Sequence, residues 1–177
     1  MPLIRSLAVA ALAAGCTGRE PAMPLAPATP AAAVASPAAV VVTSLLDDGN
    51  GTCTGAKCTL RDALATAPEG GDVTFASSLC PRRATPATGC VITLRGASLT
   101  VGRRVQVVGS SNYALAVDGG AVVAPVLAVS AGAVVTMSNL TISGSPLSGV
   151  VNHGNLTLKG VALRGNGSSS SARCSTA

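Results

Sequence analysis

The sequence predicts an all-β fold, a parallel β-helix (a solenoid of stacked strands) opened by a short N-terminal capping helix. Three observations carry that expectation. Residues 135–144 and 156–165 align without a gap, and every apolar position and the final Gly recur 21 residues later. Within each segment, apolar and polar residues alternate with the period of a strand. The chain of 177 residues is 48% hydrophobic, yet it holds one Tyr, one Phe and no Trp. A conventional core with bulky aromatic anchors is thereby excluded. A disordered acidic tail is excluded as well, because charged residues are only 11% and Val is abundant.

The N-terminus comes first. Arg5 and the short apolar run of residues 6–15 fit a signal peptide and are too short for a transmembrane helix. Leu12-Ala13-Ala14-Gly15-Cys16 resembles a bacterial lipobox. The resemblance implies cleavage before Cys16 and acylation of its sulfur, with Thr17 favouring the outer membrane. The alternative is ordinary cleavage after Ala13, which leaves a secreted chain with a spare thiol at Cys16. Residues 21–39 hold five Pro and nine Ala, so this stretch is expected to be an extended tether spanning up to roughly 60 Å. The expected organisation is a signal at 1–15, a lipid-anchored tether at 16–39, a cap at 40–78 and β-helix coils at 79–177.

The cap begins with Val40-Val41-Val42-Thr43, which reads as a strand, followed by the turn-rich Asp47-Asp48-Gly49-Asn50-Gly51. Thr59 with Asp62 three residues on forms a capping-box pattern. Leu60, Ala63, Leu64 and Ala67 then line one helical face, and Pro68 and Gly70-Gly71 end it. Asp72-Val73-Thr74-Phe75 reads as a strand with Val73 and Phe75 on one side. Cys58-Thr59-Leu60-Arg61-Asp62-Ala63-Leu64, with residues 71–75 after it, resembles the CSLREA-type segment that opens secreted bacterial right-handed parallel β-helices. Thr, Asp and Leu replace the family's Ser, Glu and Ile. The resemblance implies right-handed coiling and a structural role, and it supplies no catalytic residues.

In the coils, Val135 is expected over Leu156, Met137 over Leu158, Leu140 over Val161 and Ile142 over Leu163, with Thr, Lys159 and Arg164 outward. Leu99/Val101 and Val105/Val107 read as an earlier copy in the same frame, with one extra residue between the pairs. Thr100, Thr136 and Thr157 take equivalent places, and Leu115/Val117 and Leu127/Val129 lie in the longer stretch between copies. Gly109, Gly144 and Gly165 mark corners where φ > 0 is expected. Ser148-Gly149-Val150 and Leu163-Arg164-Gly165-Asn166 are similar to the Gly-Gly-apolar and Phe-x-x-Asn elements of polymorphic outer-membrane proteins and haemagglutinin-like repeats, which implies an adhesin-like surface protein. A β-sandwich with coincidental spacing is the rival fold, and the strict 21-residue offset weighs against it. Three or four coils fit residues 90–166, and no cap is recognisable after them. The chain is therefore expected to be the first part of a longer β-helix or a truncated remnant.

Six Cys in an exported chain favour disulfides. The near pairs are Cys53–Cys58 and Cys80–Cys90, leaving Cys174 without a partner; a zinc site from the same four is the sharper alternative, disfavoured by spacing and compartment. Residues 79–177 carry eight basic groups against Asp118 alone. Nucleic acid is not an expected partner, because Tyr113 is the sole aromatic available there for stacking. The arginines read as solvated outer-face residues among strands.

Glycoside hydrolysis generally needs two facing carboxylates, and beyond Val73 there is only Asp118. Asp47, Asp48, Asp62, Glu69 and Asp72 lie in the cap, where turn and capping roles account for them. His153 sits in a turn, and no Ser has a nucleophile-elbow context. Asn50, Asn139, Asn155 and Asn166 head Asn-x-Ser/Thr triplets but read as turn and strand residues. No catalytic residue, metal site or cofactor is expected. The expected function is a non-enzymatic scaffold of adhesin-like type, exported and anchored in the outer membrane or cell surface, with a surface glycan or protein as partner. The alternative is the N-terminal part of a polysaccharide-active enzyme, lyase or hydrolase, whose active coils lie beyond this chain.

Overall fold

A computed structural model describes residues 38–120 and 122–167, together with the backbone of residues 174–176. The signal segment, Cys16 and the tether up to residue 37 lie outside the described residues, as do residues 168–173.

The chain begins with β1 (Val40–Val42), α1 (Leu60–Thr66) and β2 (Gly71–Phe75). A single 3-10 turn at Pro86–Thr88 precedes β3 (Val91–Thr93), β4 (Leu99–Val101) and β5 (Val105–Val108). The next three strands are β6 (Ala116–Asp118), β7 (Leu127–Val129) and β8 (Val134–Ser138). They are followed by β9 (Thr141–Ser143), β10 (Val150–Asn152), β11 (Asn155–Lys159), β12 (Ala162–Arg164) and β13 (Cys174–Thr176).

These strands form three parallel sheets, ordered β1-β2-β5-β8-β11, β4-β7-β10-β13 and β3-β6-β9-β12. From β2 onward, sheet neighbours are three strands apart in the chain. Parallel neighbours need a crossover, which is commonly a helix. Here two intervening strands supply it, so each tier consists of one strand from each sheet. The fold is all-β and parallel.

Apolar side chains stack in columns across the tiers. One column runs Val40, Val73, Val107, Met137 and Leu158, and a second runs Gly71, Val105, Val135 and Leu156. Ile92, Val117, Ile142 and Leu163 form a third, and Leu99, Leu127 and Val150 a fourth. The pairs read from the repeat, Val135 with Leu156, Met137 with Leu158 and Ile142 with Leu163, are in register. Leu140 and Val161 sit one residue ahead of the β9–β12 pairing, where the Ala162 N–H donates to the Leu140 carbonyl at 3.0 Å.

The earlier copy is framed differently from the sequence reading. Leu99 and Val101 lie opposite Leu127 and Val129, whereas Val105 and Val107 lie opposite Val135 and Met137. Thr100 accordingly partners Ala128, while Thr136 partners Thr157. Period-2 alternation is identical on every face of such a stack, so an apolar pair does not label its sheet. The extra residue between the two pairs was the mark of a different corner. Gly109 is corrected with it. Gly144 and Gly165 have φ of +72° and +57°, but Gly109 is not left-handed. Its missing Cβ instead clears the backbone carbonyl of Asn139, with which a side chain would collide.

Burial follows the columns, with one graded exception. Val135, Met137, Leu140 and Ile142 are buried, while Leu156, Leu158, Val161 and Leu163 are only partly so. Among the described residues no strand pairs with the outer edges of β11 and β12. Phe75 and Tyr113 also lie in the interior, both buried, and the Tyr113 hydroxyl donates to the Ala76 carbonyl at 2.7 Å.

Candidate functional site

The cap is locked onto the first tier by polar contacts that converge on Arg61. Thr59 starts α1: its hydroxyl accepts from the Asp62 N–H at 3.1 Å, and the Asp62 carboxylate accepts from the Thr59 N–H at 3.3 Å, completing the expected capping box. Leu60, Ala63, Leu64 and Ala67 are buried on the expected face. That orientation places Arg61 against the neighbouring loop. Its Nε and Nη2 donate to the two oxygens of Asp47, each at 2.9 Å, a planar fork on a carboxylate. Nη1 donates to the Ser98 carbonyl at 3.0 Å and Nη2 also to that of Ala97 at 2.7 Å, at the start of β4. Asp47 further accepts from the Arg95 N–H at 2.9 Å.

Asp62 does more than cap. It also accepts from the Gly51 N–H at 2.7 Å, tying down the loop before the helix. Burial pushes its carboxyl upward, but the Thr59 hydroxyl and the N–H groups of Gly51, Thr59 and Asn50 outweigh that and hold it below the usual carboxylate range. A side chain at Gly49 would press on this carboxylate, with the Asp62 oxygen 2.5 Å from a Cβ there. The role of Arg61 was not legible from spacing, because its partners lie 14 and 36–37 residues away.

Among the remaining acids, Asp118, Glu69 and Asp48 have structural partners. Asp118 accepts from the Gly120 N–H and the Ser143 hydroxyl, both at 2.8 Å. Glu69 accepts from the Arg104 N–H at 3.2 Å. Asp48 pairs with Lys57 on the surface, and that hydrogen bond lowers its pKa. Asp72 lies on β2, half-buried and in register with Gln106. His153 is exposed in the β10–β11 turn, its N–H on the Val129 carbonyl at 2.9 Å. Asp48 and Asp62 line one small hollow beside Lys57, the first hydrogen-bonded by the Lys57 ammonium and the second by the N–H groups of Thr59 and Gly51.

Cys53 is bonded to Cys58 and Cys80 to Cys90, so the zinc alternative for these four sulfurs is set aside: thiolates are needed as ligands. Among the described residues no cluster of His, Cys, Asp or Glu is suited to a metal ion. The backbone of Cys174 stands in register with Val150.

Asn166 is the residue whose role the sequence least betrayed. It is fully buried, accepts from the Ser145 N–H at 3.1 Å and donates to the Ile142 carbonyl at 3.0 Å, joining adjacent tiers. Gly149 makes room for it, since a Cβ there would lie 2.7 Å from its amide nitrogen.

The described arginines of the basic half are all exposed, and Arg164 is the outer-face strand residue expected, on β12, but the other five differ in place. Arg82, Arg83, Arg95, Arg103 and Arg104 all occupy corners between strands. One corner line forms a groove of about 410 Å³ where β2–β3, β5–β6 and β8–β9 connect. Arg83, Ser110, Ser111, Asn112 and Asn139 line it. A further hollow of about 150 Å³ shares Ala114 and Asn139 with it and reaches Gly160 on the next tier. Arg83 and Asn139 are the non-glycine residues with positive φ among those described, at +62° and +55°. Such backbone costs of order 1 kcal/mol or more per residue. Tyr113 reaches this line only from inside, its ring buried.

No family model, curated protein or solved structure matches the chain.

Proposed function

We propose that the protein is a right-handed parallel β-helix serving as a non-enzymatic scaffold, exported and held at the bacterial envelope through a lipid on Cys16. The cyclic strand order, with every third strand in register, supports the solenoid reading. The resemblance of the cap to the CSLREA-type segment supports its hand. The observation that carries the functional reading is the employment of the carboxylates. Asp47, Asp62 and Asp118 each hold the fold together through two or more hydrogen bonds, from Arg61 and Arg95, from Thr59 and Gly51, and from Gly120 and Ser143. Retaining or inverting hydrolysis instead requires two carboxyl groups held across a bond, roughly 5–9.5 Å apart. What these tiers offer is a rigid, corner-rich surface on which loops can be displayed.

The test is fractionation of cells producing the full chain, together with a Cys16→Ser variant. The anchored scaffold sediments with membranes and carries a diacylglyceryl group on Cys16 by mass spectrometry, and the variant is soluble. Wild-type protein free of lipid overturns the anchor. New reducing ends from a panel of polysaccharides incubated with the purified protein overturn the non-enzymatic reading.

A further inference from the structure

We infer that the corner groove around Arg83 and Asn139 binds an acidic polysaccharide, taking its carboxylates on the Arg83 guanidinium. The inference rests on the scaffold reading and names the ligand that such a scaffold would hold.

The groove follows the stacking direction. Its walls come from the same corner of three successive tiers, and the adjoining hollow extends it to Gly160 on the fourth. Tiers repeat every ~4.8 Å, so the line runs about 14 Å and suits an extended polymer more than a compact solute. Its chemistry is that of a polar ligand. Exposed Arg83 makes no ion pair among the described residues, and no carboxylate lines the groove. The side chains of Ser111, Asn112 and Asn139 make no hydrogen bond within the described protein, although each lines the wall. Two amides and a hydroxyl are therefore available to sugar hydroxyls, beside one guanidinium suited to forked contact with a carboxylate.

The backbone supports the same conclusion. Among the described residues, both non-glycine residues in left-handed conformation lie on this one groove, and glycine would adopt either position without strain. The loop bearing Arg83 is closed by the Cys80–Cys90 disulfide, and the Arg83 N–H is fixed to the Asn112 carbonyl at 2.7 Å. The guanidinium is thus presented from a tethered wall, which lowers the ordering cost of binding. Neutral stacking is not available, since Tyr113 is inside. Charge and hydrogen bonding must supply the affinity, and salt must weaken it.

The experiment is affinity electrophoresis and calorimetric titration of the full chain with sodium polygalacturonate, using dextran as the neutral control. Arg83→Gly and Asn139→Gly are the informative variants, because each keeps the left-handed backbone while deleting the side chain. The expected result is salt-sensitive binding to polygalacturonate, none to dextran, and a loss of roughly tenfold or more in affinity with Arg83→Gly at an unchanged or higher Tm. Asn139→Gly should weaken binding less. Absence of binding, equal binding to dextran, or binding untouched by both variants overturns the inference. Shortening of the polymer during the titration, read by gel filtration, overturns the non-enzymatic reading and leaves the groove assignment standing.

Discussion

The guanidinium of Arg61 grips both oxygens of Asp47, 14 positions earlier in the chain, at 2.9 Å, and the Asp47 side chain is almost completely buried. Through the same guanidinium the cap reaches the carbonyls of Ala97 and Ser98 at the first strand of the second sheet. Removing the cation strands a buried carboxylate, a loss greater than the pair's own net contribution. Because the Arg61 side chain retains 28% exposure, the cost of Arg61→Ala should fall below a fully buried pair, at about 2–3 kcal/mol. Arg61→Lys should recover part of it, since the charge returns without the fork. Urea unfolding midpoints of the three proteins check the order; equal stability of Arg61→Ala and wild type refutes the clamp.

Acid should loosen the cap through Asp62. Its pKa in the folded protein is depressed, so its contribution is present above the unfolded value near 3.8 and is lost as pH falls through the lower folded value. Asp62→Asn should therefore be less stable than wild type at pH 7, and the gap should shrink below about pH 4. At pH 7 the loss of cap and Gly51 contact should be about 1–2 kcal/mol. Thermal melts at pH 7 and pH 3 measure both, and a gap that widens in acid would contradict the assignment.

Alkali should act on Tyr113. Burial raises its pKa above 10, with the Ser110 hydroxyl pulling modestly the other way. The raised value means that its stabilising effect is complete below pH 10 and lost as pH climbs through the folded pKa. Tyr113→Phe should remove that alkaline loss while forfeiting the hydrogen bond to Ala76, about 1 kcal/mol at pH 7. Stability profiles from pH 7 to 11 for the two proteins decide it.

The repeat at residues 135–165 made the stacking of Val135 on Leu156 and of Met137 on Leu158 legible, because a gapless offset with alternation leaves little freedom of register. The frame of Leu99 and Val105 was not legible, because each sheet presents the same alternation and only corner lengths distinguish them. Thr59 and Asp62 were readable as a local box three residues apart. Arg61 with Asp47, Asn166 with Ser145, and Arg83 beside Asn139 were not, since each depends on what successive tiers bring together. A left-handed arginine leaves no trace in sequence, whereas the left-handed glycines at 144 and 165 announced themselves.

The inward and outward assignment can be tested at one junction. Leu140 is buried in the column line and Thr141 next to it, opening β9, is half-exposed. Leu140→Asp buries an unpaired charge, a penalty of several kcal/mol that a domain of this size does not absorb. Thr141→Asp keeps its charge in water and should change stability by less than about 1 kcal/mol. Loss of cooperative unfolding in the first variant only, followed by circular dichroism, is the expected outcome; equal damage from both refutes the assignment.

Asn166 and Gly149 should be energetically coupled. Asn166→Ala leaves the Ser145 N–H and the Ile142 carbonyl without partners in a buried seam, at about 2–3 kcal/mol. Gly149→Ala places a methyl group against the Asn166 amide, 2.7 Å from its nitrogen, and must displace it from the same two bonds. Each single change thus breaks one set of interactions by a different route. In the double variant the methyl group meets only alanine, so its added cost should fall well below its cost in wild type. A double-mutant cycle measured by denaturant unfolding should show a coupling of about 1 kcal/mol or more. Strict additivity would mean that Gly149 is small for a reason other than the asparagine beside it.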